Sequence, residues 1–124
     1  MLRKFLRSKL HTPRVTEKNL EYEGSLSLDP RFMIAAGIEP FETVWVYNLE
    51  NGERFETYVL KGEWGSKEVC LNGAAARKGE IGDRLIVVSY AWLTPAEIDE
   101  AEVTVVYVDE ENNIIEERRY FVKE

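Results

Sequence analysis

The chain has 124 residues, 44% of them hydrophobic and 31% charged, and a formal net charge of −7. Those figures describe one globular domain, residues 1–124, with a modest core. The acidic balance excludes nucleic acid as a partner, which needs a basic face, and the lack of any run of about 18 apolar residues excludes a helical membrane span.

Arg3, Lys4 and Arg7 precede no long apolar stretch, so no signal peptide is expected. The apolar spacing over residues 2–12 fits either a helix or a strand. Pro13 and the short β-rich segments that follow favour a strand, which puts Lys9 and His11 on one face. Residues 16–19 read as a turn or short helical bend, and 20–22 as a strand leading to Gly24-Ser25. Asp29-Pro30 has the chemistry of a helix start, with Asp as N-cap and Pro in the first turn, and Gly37 supplies the stop. Residues 41–49 carry strand formers. Asn51-Gly52 is the strongest hairpin signal in the chain, and residues 54–60 are the return strand. Strict alternation there puts Arg54, Glu56 and Tyr58 on one face and Phe55, Thr57 and Val59 on the other.

Gly62 and Gly65 make residues 61–67 a loop. Residues 68–71 form a short strand that ends at Asn72-Gly73, and 74–77 make a helical turn. Cys70 is the sole cysteine. It has no internal disulfide partner, points to a reducing, cytoplasmic setting and reads as a buried structural thiol. Residues 85–92 form a strand apolar on both faces. Thr94-Pro95-Ala96-Glu97 is a capping box that opens a short helix over 95–100. Residues 103–108 and 114–122 are strands joined by an acidic turn. This pattern predicts a mainly β chain closed into a barrel, with an open sandwich as the other solution.

Gly24-Ser25 alone marks a turn or bulge. The same pair permits chemistry. A Ser hydroxyl can attack the carbonyl carbon of the preceding residue and convert the amide to an ester, if the peptide is strained and its oxyanion is held. β-Elimination of that ester leaves dehydroalanine, and hydrolysis leaves a pyruvoyl group. Tyr22-Glu23-Gly24-Ser25, preceded by Lys9-Leu10-His11, resembles the aspartate 1-decarboxylase precursor family. Asn51-Gly52-Glu53-Arg54-Phe55-Glu56-Thr57-Tyr58, Asn72-Gly73-Ala74-Ala75-Ala76 and Gly82-Asp83-Arg84-Leu85-Ile86-Val87 match as well, in order, over nearly the whole chain. The family often carries His before the Tyr-Glu-Gly-Ser motif, where this chain has Glu21.

The resemblance implies a small six-stranded double-psi β-barrel with short flanking helices. It implies self-cleavage between Gly24 and Ser25, giving residues 1–24 (the β chain) and 25–124 (the α chain). The implied activity is decarboxylation of L-aspartate to β-alanine and CO2 for pantothenate synthesis. The implied assembly is a homotetramer of cleaved protomers.

Losing CO2 from an α-amino acid needs an electron sink, and a pyruvoyl carbonyl at Ser25 that forms a Schiff base with the substrate supplies one. The chain lacks a phosphate-cradling glycine-rich strand-turn-helix unit, so pyridoxal phosphate is not expected. One His and one Cys, far apart, make no metal signature.

Thr57 is the expected donor to the Gly24 carbonyl during self-cleavage, and the resemblance implies a place near substrate for it as well. Tyr58 is the expected proton donor to the carbon that loses CO2. Adjacent strand residues point oppositely, so using both asks for a bulge or a second subunit. Arg54 and Lys9 are the candidate carboxylate clamps, with Arg54 suited to the retained β-carboxylate. Gly73, Ala74 and Ala75 would let backbone approach substrate, a role the resemblance implies for this segment together with a place for Asn72 near the pyruvoyl group, and His11 and Tyr22 are expected to support the site. Each residue also has an ordinary structural role: a solvated Arg, a β-branched strand residue, a packed aromatic. The rival function is a non-catalytic acidic β-barrel interaction module that keeps the Gly24-Ser25 bond intact.

Overall fold

The computed structural model describes residues 1–123. Its strands are β1 (Arg3–Arg14), β2 (Glu17–Asn19), β3 (Ser25–Leu28), β4 (Thr43–Asn48), β5 (Arg54–Lys61), β6 (Val69–Asn72), β7 (Arg84–Leu93), β8 (Glu102–Val108) and β9 (Ile114–Phe121). Helix α1 (Pro30–Ala36) follows β3, a 3-10 turn (Gly73–Lys78) follows β6, and helix α2 (Pro95–Ile98) follows β7. Half of the chain is strand, so the expectation of a mainly β fold holds, and the architecture is consistent with a barrel.

The strand order is β2-β6-β3-β5-β4-β7-β1-β8-β9. This is nine strands rather than the six expected. Two features account for the difference. The first strand breaks into β1 and β2 around Val15. The β8–β9 hairpin adds its two strands beside β1, with β8 running parallel to it. The break leaves β1 bordering β7 while β2 borders β6. Val15 N–H donates to the Asp83 carbonyl at 3.0 Å and Thr16 N–H to the Val69 carbonyl at 2.8 Å across the break.

The core fills the space inside this ribbon. Leu10, Leu26, Leu28, Val44, Val46, Val59, Leu71, Leu85, Val87 and Val106 are fully or almost fully buried, and Phe32 of α1 packs into the same cluster. Strand β7 is buried on both faces over Val87, Val88 and Ser89, as its apolar run predicts, but opens to solvent at Trp92.

Local signals place the helices. Asp29 caps α1, accepting from Arg31 N–H at 3.0 Å, and Gly37 ends it with φ of 68°. Thr94 and Glu97 form the expected capping box, but α2 stops at Ile98 rather than at residue 100. The Asn51-Gly52 hairpin is present, with Gly52 at φ of 74°.

One segment reverses its expectation. Residues 16–19 contain β2 instead of a turn, and 20–22 form the turn instead of a strand. Lys18 lies beside Leu71 in a parallel ladder with β6, while Leu20 and Tyr22 are exposed. Backbone pairing with a distant strand outweighs the better β propensity of Leu and Tyr.

Candidate active site around Ser25

Strand β3 is flanked on one side by β6, antiparallel, and on the other by β5, parallel. All four of its residues are buried. Ser25 opens the strand opposite Asn72, with its side chain entirely out of solvent. Its hydroxyl donates to the Glu23 carbonyl at 3.3 Å and accepts from Asn72 Nδ2 at 2.9 Å. The other Nδ2 hydrogen goes to Ser27 Oγ at 2.9 Å, and Asn72 Oδ1 accepts from the Cys70 thiol at 3.2 Å. Burial, reinforced by the Glu17 and Glu68 carboxylates, pushes the Cys70 thiol up to about 11. It is therefore a protonated donor at neutral pH.

Gly73 fixes the backbone in front of Ser25. It adopts φ of 61°, a left-handed conformation that disfavours side chains. A Cβ there would fall 2.7 Å from both Gly24 Cα and Gly24 N, and 2.8 Å from the Tyr22 carbonyl oxygen. The two glycines thus let two backbones touch. A Cβ on Gly24 itself would meet only the Asn72 carbonyl, at 4.0 Å.

A cavity of about 290 Å³ opens onto Gly24, and Thr57, Tyr58, Ala74, Ala75 and Lys78 line it. The parallel register puts Leu26 beside Val59. No register shift interrupts the β4–β5 ladder from Thr43–Tyr58 to Tyr47–Arg54, so the anticipated bulge is not there. Thr57 and Tyr58 nonetheless both line the cavity that opens onto Gly24. Tyr58 also stacks on Phe41, with ring centroids 6.4 Å apart.

Lys78 was not foreseen. It ends the 3-10 turn three residues after Ala75, which places both on one side of such a turn, and its ammonium pairs with Glu53 at 2.9 Å. That spacing was the available signal. Ser27 was missed as a polar partner of Asn72 because that contact depends on β3–β6 pairing, whereas Cys70, two residues before Asn72 on β6, was read only as a packed thiol although its spacing put both on one face.

The remaining candidates stand elsewhere on the protomer. The Arg54 guanidinium lies over the Tyr47 ring at 4.0 Å. It lines a separate cavity of about 370 Å³ with Lys4, Trp45, Tyr47 and Tyr90. Lys9 and His11 lie on β1 between β7 and β8 and line neither cavity. His11 meets Tyr107 edge-on at 5.5 Å, and burial together with the Lys9 ammonium lowers its pKa. Tyr22 is half exposed and borders a third cavity, of about 590 Å³, that reaches Ser27, Cys70 and Asn72 from the other side. Among the described residues no cluster of three or more His, Cys, Asp or Glu is arranged to hold a metal ion, and no helix is long and apolar enough to cross a membrane.

The family model described as aspartate decarboxylase matches residues 1–115. An aspartate 1-decarboxylase of Tolumonas auensis is 50% identical over 115 residues, covering 93% of this chain and 91% of the relative. The aspartate 1-decarboxylase of Desulfotalea psychrophila is 49% identical over 116 residues, 94% of this chain and 98% of its own. That of Caldicellulosiruptor bescii is 52% identical over 110 residues, 89% and 86% of the two chains. With this coverage, and with Gly24, Ser25, Thr57, Tyr58 and the Asn72-Gly73-Ala74-Ala75 run gathered at one place, the chain belongs to the aspartate decarboxylase family.

Proposed function

We propose that the chain cleaves itself between Gly24 and Ser25 and then decarboxylates L-aspartate to β-alanine and CO2, supplying β-alanine for pantothenate synthesis in the cytoplasm. The observation that carries this reading is the buried Ser25 hydroxyl, held by Asn72 beside a Gly24 backbone against which Gly73 packs too closely for any side chain.

In self-cleavage Ser25 Oγ attacks the Gly24 carbonyl carbon, and the Ser25 hydroxyl proton passes to the nitrogen that leaves that carbon. Thr57 donates to the Gly24 oxyanion meanwhile. Loss of the Ser25 α-proton and cleavage of the Cβ–Oγ bond release Gly24 as a carboxylate. Water then displaces ammonia from the dehydroalanine, leaving residues 1–24 and a 25–124 chain that begins with a pyruvoyl group.

The site fits that group. Position 25 is enclosed and carries the Asn72 amide donor at 2.9 Å, and the neighbouring cavity is lined by residues without bulk at 24, 74 and 75. The group supplies the electron sink for the carbanion that remains as CO2 departs. The chain's own residues do the rest. Arg54 grips the β-carboxylate of aspartate in a bidentate fork. A grip on the departing α-carboxylate would stabilise the ground state and slow its loss. Tyr58 delivers a proton to the α-carbon. The backbone of Gly73, Ala74 and Ala75 bounds the substrate.

Lys9, His11 and Arg54 stand away from the Gly24 cavity within a protomer, which supports a site completed by a second subunit in a homotetramer. The double-psi topology is part of the same reading. With β1 and β2 taken as one bent strand, β1/β2, β6, β3, β5, β4 and β7 make the six staves, and the β8–β9 hairpin lies outside them.

The test is to incubate the purified protein with L-aspartate and quantify β-alanine and CO2, with L-glutamate and the Ser25→Ala variant as controls. β-Alanine from wild type and none from the variant supports the proposal. No product from a fully cleaved wild type overturns it.

A further inference from the structure

We propose that Cys70, with Ser27, holds the Asn72 amide in the orientation that directs its N–H at Ser25, which makes both of them positioning residues for self-cleavage. The inference rests on the reading of Ser25 as the residue that cleaves the chain.

All four side chains are buried, with exposures of 0% for Ser25, 9% for Ser27, 4% for Cys70 and 3% for Asn72. Ser25 pairs with Asn72 and Ser27 with Cys70 across the β3–β6 ladder. Residues two apart on a strand share a face, so the four project to the same side. The amide is saturated there: its two N–H bonds go to Ser25 and Ser27, and its oxygen accepts from Cys70.

An amide has nearly the same shape after a half-turn that exchanges oxygen and nitrogen. The two serine hydroxyls tolerate either orientation, because a hydroxyl can donate or accept. The thiol does not treat them equally. A protonated sulfur donates to Oδ1 in the observed orientation and would be a poor acceptor for Nδ2 in the other. Cys70 is therefore the neighbour that breaks the tie. Ser27 takes up the second N–H, which would otherwise be a buried donor without a partner.

The orientation matters to both covalent steps. Negative charge grows on Ser25 Oγ as it loses its proton in the attack on Gly24. The same oxygen becomes part of the departing carboxylate when the Cβ–Oγ bond breaks. An amide N–H facing Oγ stabilises both, whereas the flipped amide would present its oxygen to a developing anion. Removing such a donor slows reactions of this kind by about 10²–10³-fold. Removing the group that orients it leaves the donor available for part of the time, so a smaller loss is expected, roughly tenfold.

The experiment compares Cys70→Ser and Cys70→Val with wild type, each isolated cold as precursor, warmed, and followed by intact-protein mass spectrometry. Serine keeps a donor but fills the site less well, and valine fills the site but donates nothing. The expected result is cleavage roughly tenfold slower than wild type for both variants, because the serine hydroxyl accepts as readily as it donates and no longer favours one amide orientation, with thermal midpoints recorded alongside. Valine cleaving at the wild-type rate would show that Cys70 only packs and overturns the inference, as would equal rates in all three. A wild-type chain that never cleaves overturns the reading of Ser25 itself and this inference with it.

Discussion

Replacing Gly73 with alanine is the sharpest perturbation of the contact on which the site depends. The new Cβ would sit 2.7 Å from Gly24 Cα and N, against a comfortable carbon contact of roughly 3.5–4.0 Å. Both opposing atoms are backbone, so no side chain can swing away. The residue would also have to keep φ of 61°, which costs an L-residue about 1–2 kcal/mol. Forced overpacking adds about 1–3 kcal/mol, for a total of roughly 2–5 kcal/mol. Part of that strain is relieved by moving the Gly24 peptide away from Ser25 Oγ. Gly73→Ala should therefore lose stability and cleave more slowly at once. Stability is best read from urea unfolding in a Ser25→Ala background, where no chain is cut, and cleavage by a mass-spectrometric time course with Ser25 present. A stability change under about 0.5 kcal/mol together with a wild-type cleavage rate would refute the argument.

Three further outcomes follow from the same geometry. Tyr58→Phe should still cleave at Gly24-Ser25 but lose about 10²–10⁴-fold in kcat, read from β-alanine formation by the processed enzyme. Arg54→Lys keeps the charge but not the fork, so KM for L-aspartate should rise about tenfold or more with cleavage unaffected. An unchanged KM would remove Arg54 from the substrate. Asp29 is fully buried, and burial alone would raise its pKa. Hydrogen bonds from the Arg31 side chain and from the Arg31, Lys67 and Gly65 backbone outweigh that and hold it below the usual carboxylate range. A depressed folded value stabilises the protein above the unfolded pKa of about 3.9, and that stability is lost as pH falls through the folded value. Asp29→Asn should thus be less stable than wild type at pH 7 in urea titrations, with the gap closing below about pH 4.

Features that depend on neighbours in sequence were legible without coordinates. The Asp29 cap, the Thr94–Glu97 capping box and the Asn51-Gly52 hairpin each carry their own chemistry, and each is present. What depends on distant pairing was not. β2 exists because residues 17–19 meet β6, a partner no local pattern announces. The same limit hid the Asn72–Ser27 bond, since an alternating strand shows which residues share a face but not which strand that face meets. Thr57 and Tyr58 were expected to need a bulge or a second subunit to share a site; both line one cavity of the protomer although the β4–β5 ladder runs through them without a register shift. Lys9, His11 and Arg54 were grouped with Ser25 through the family resemblance, and the single protomer keeps them apart from it, which is why the proposed site extends across subunits.

The central claim is tested most directly by the intact mass of the purified protein under denaturing conditions. The account predicts two species, residues 1–24 and residues 25–124, the larger carrying the mass of a pyruvoyl terminus. A single full-length mass that persists on prolonged warming would contradict it and favour a β-barrel that keeps its Gly24-Ser25 bond and performs no catalysis.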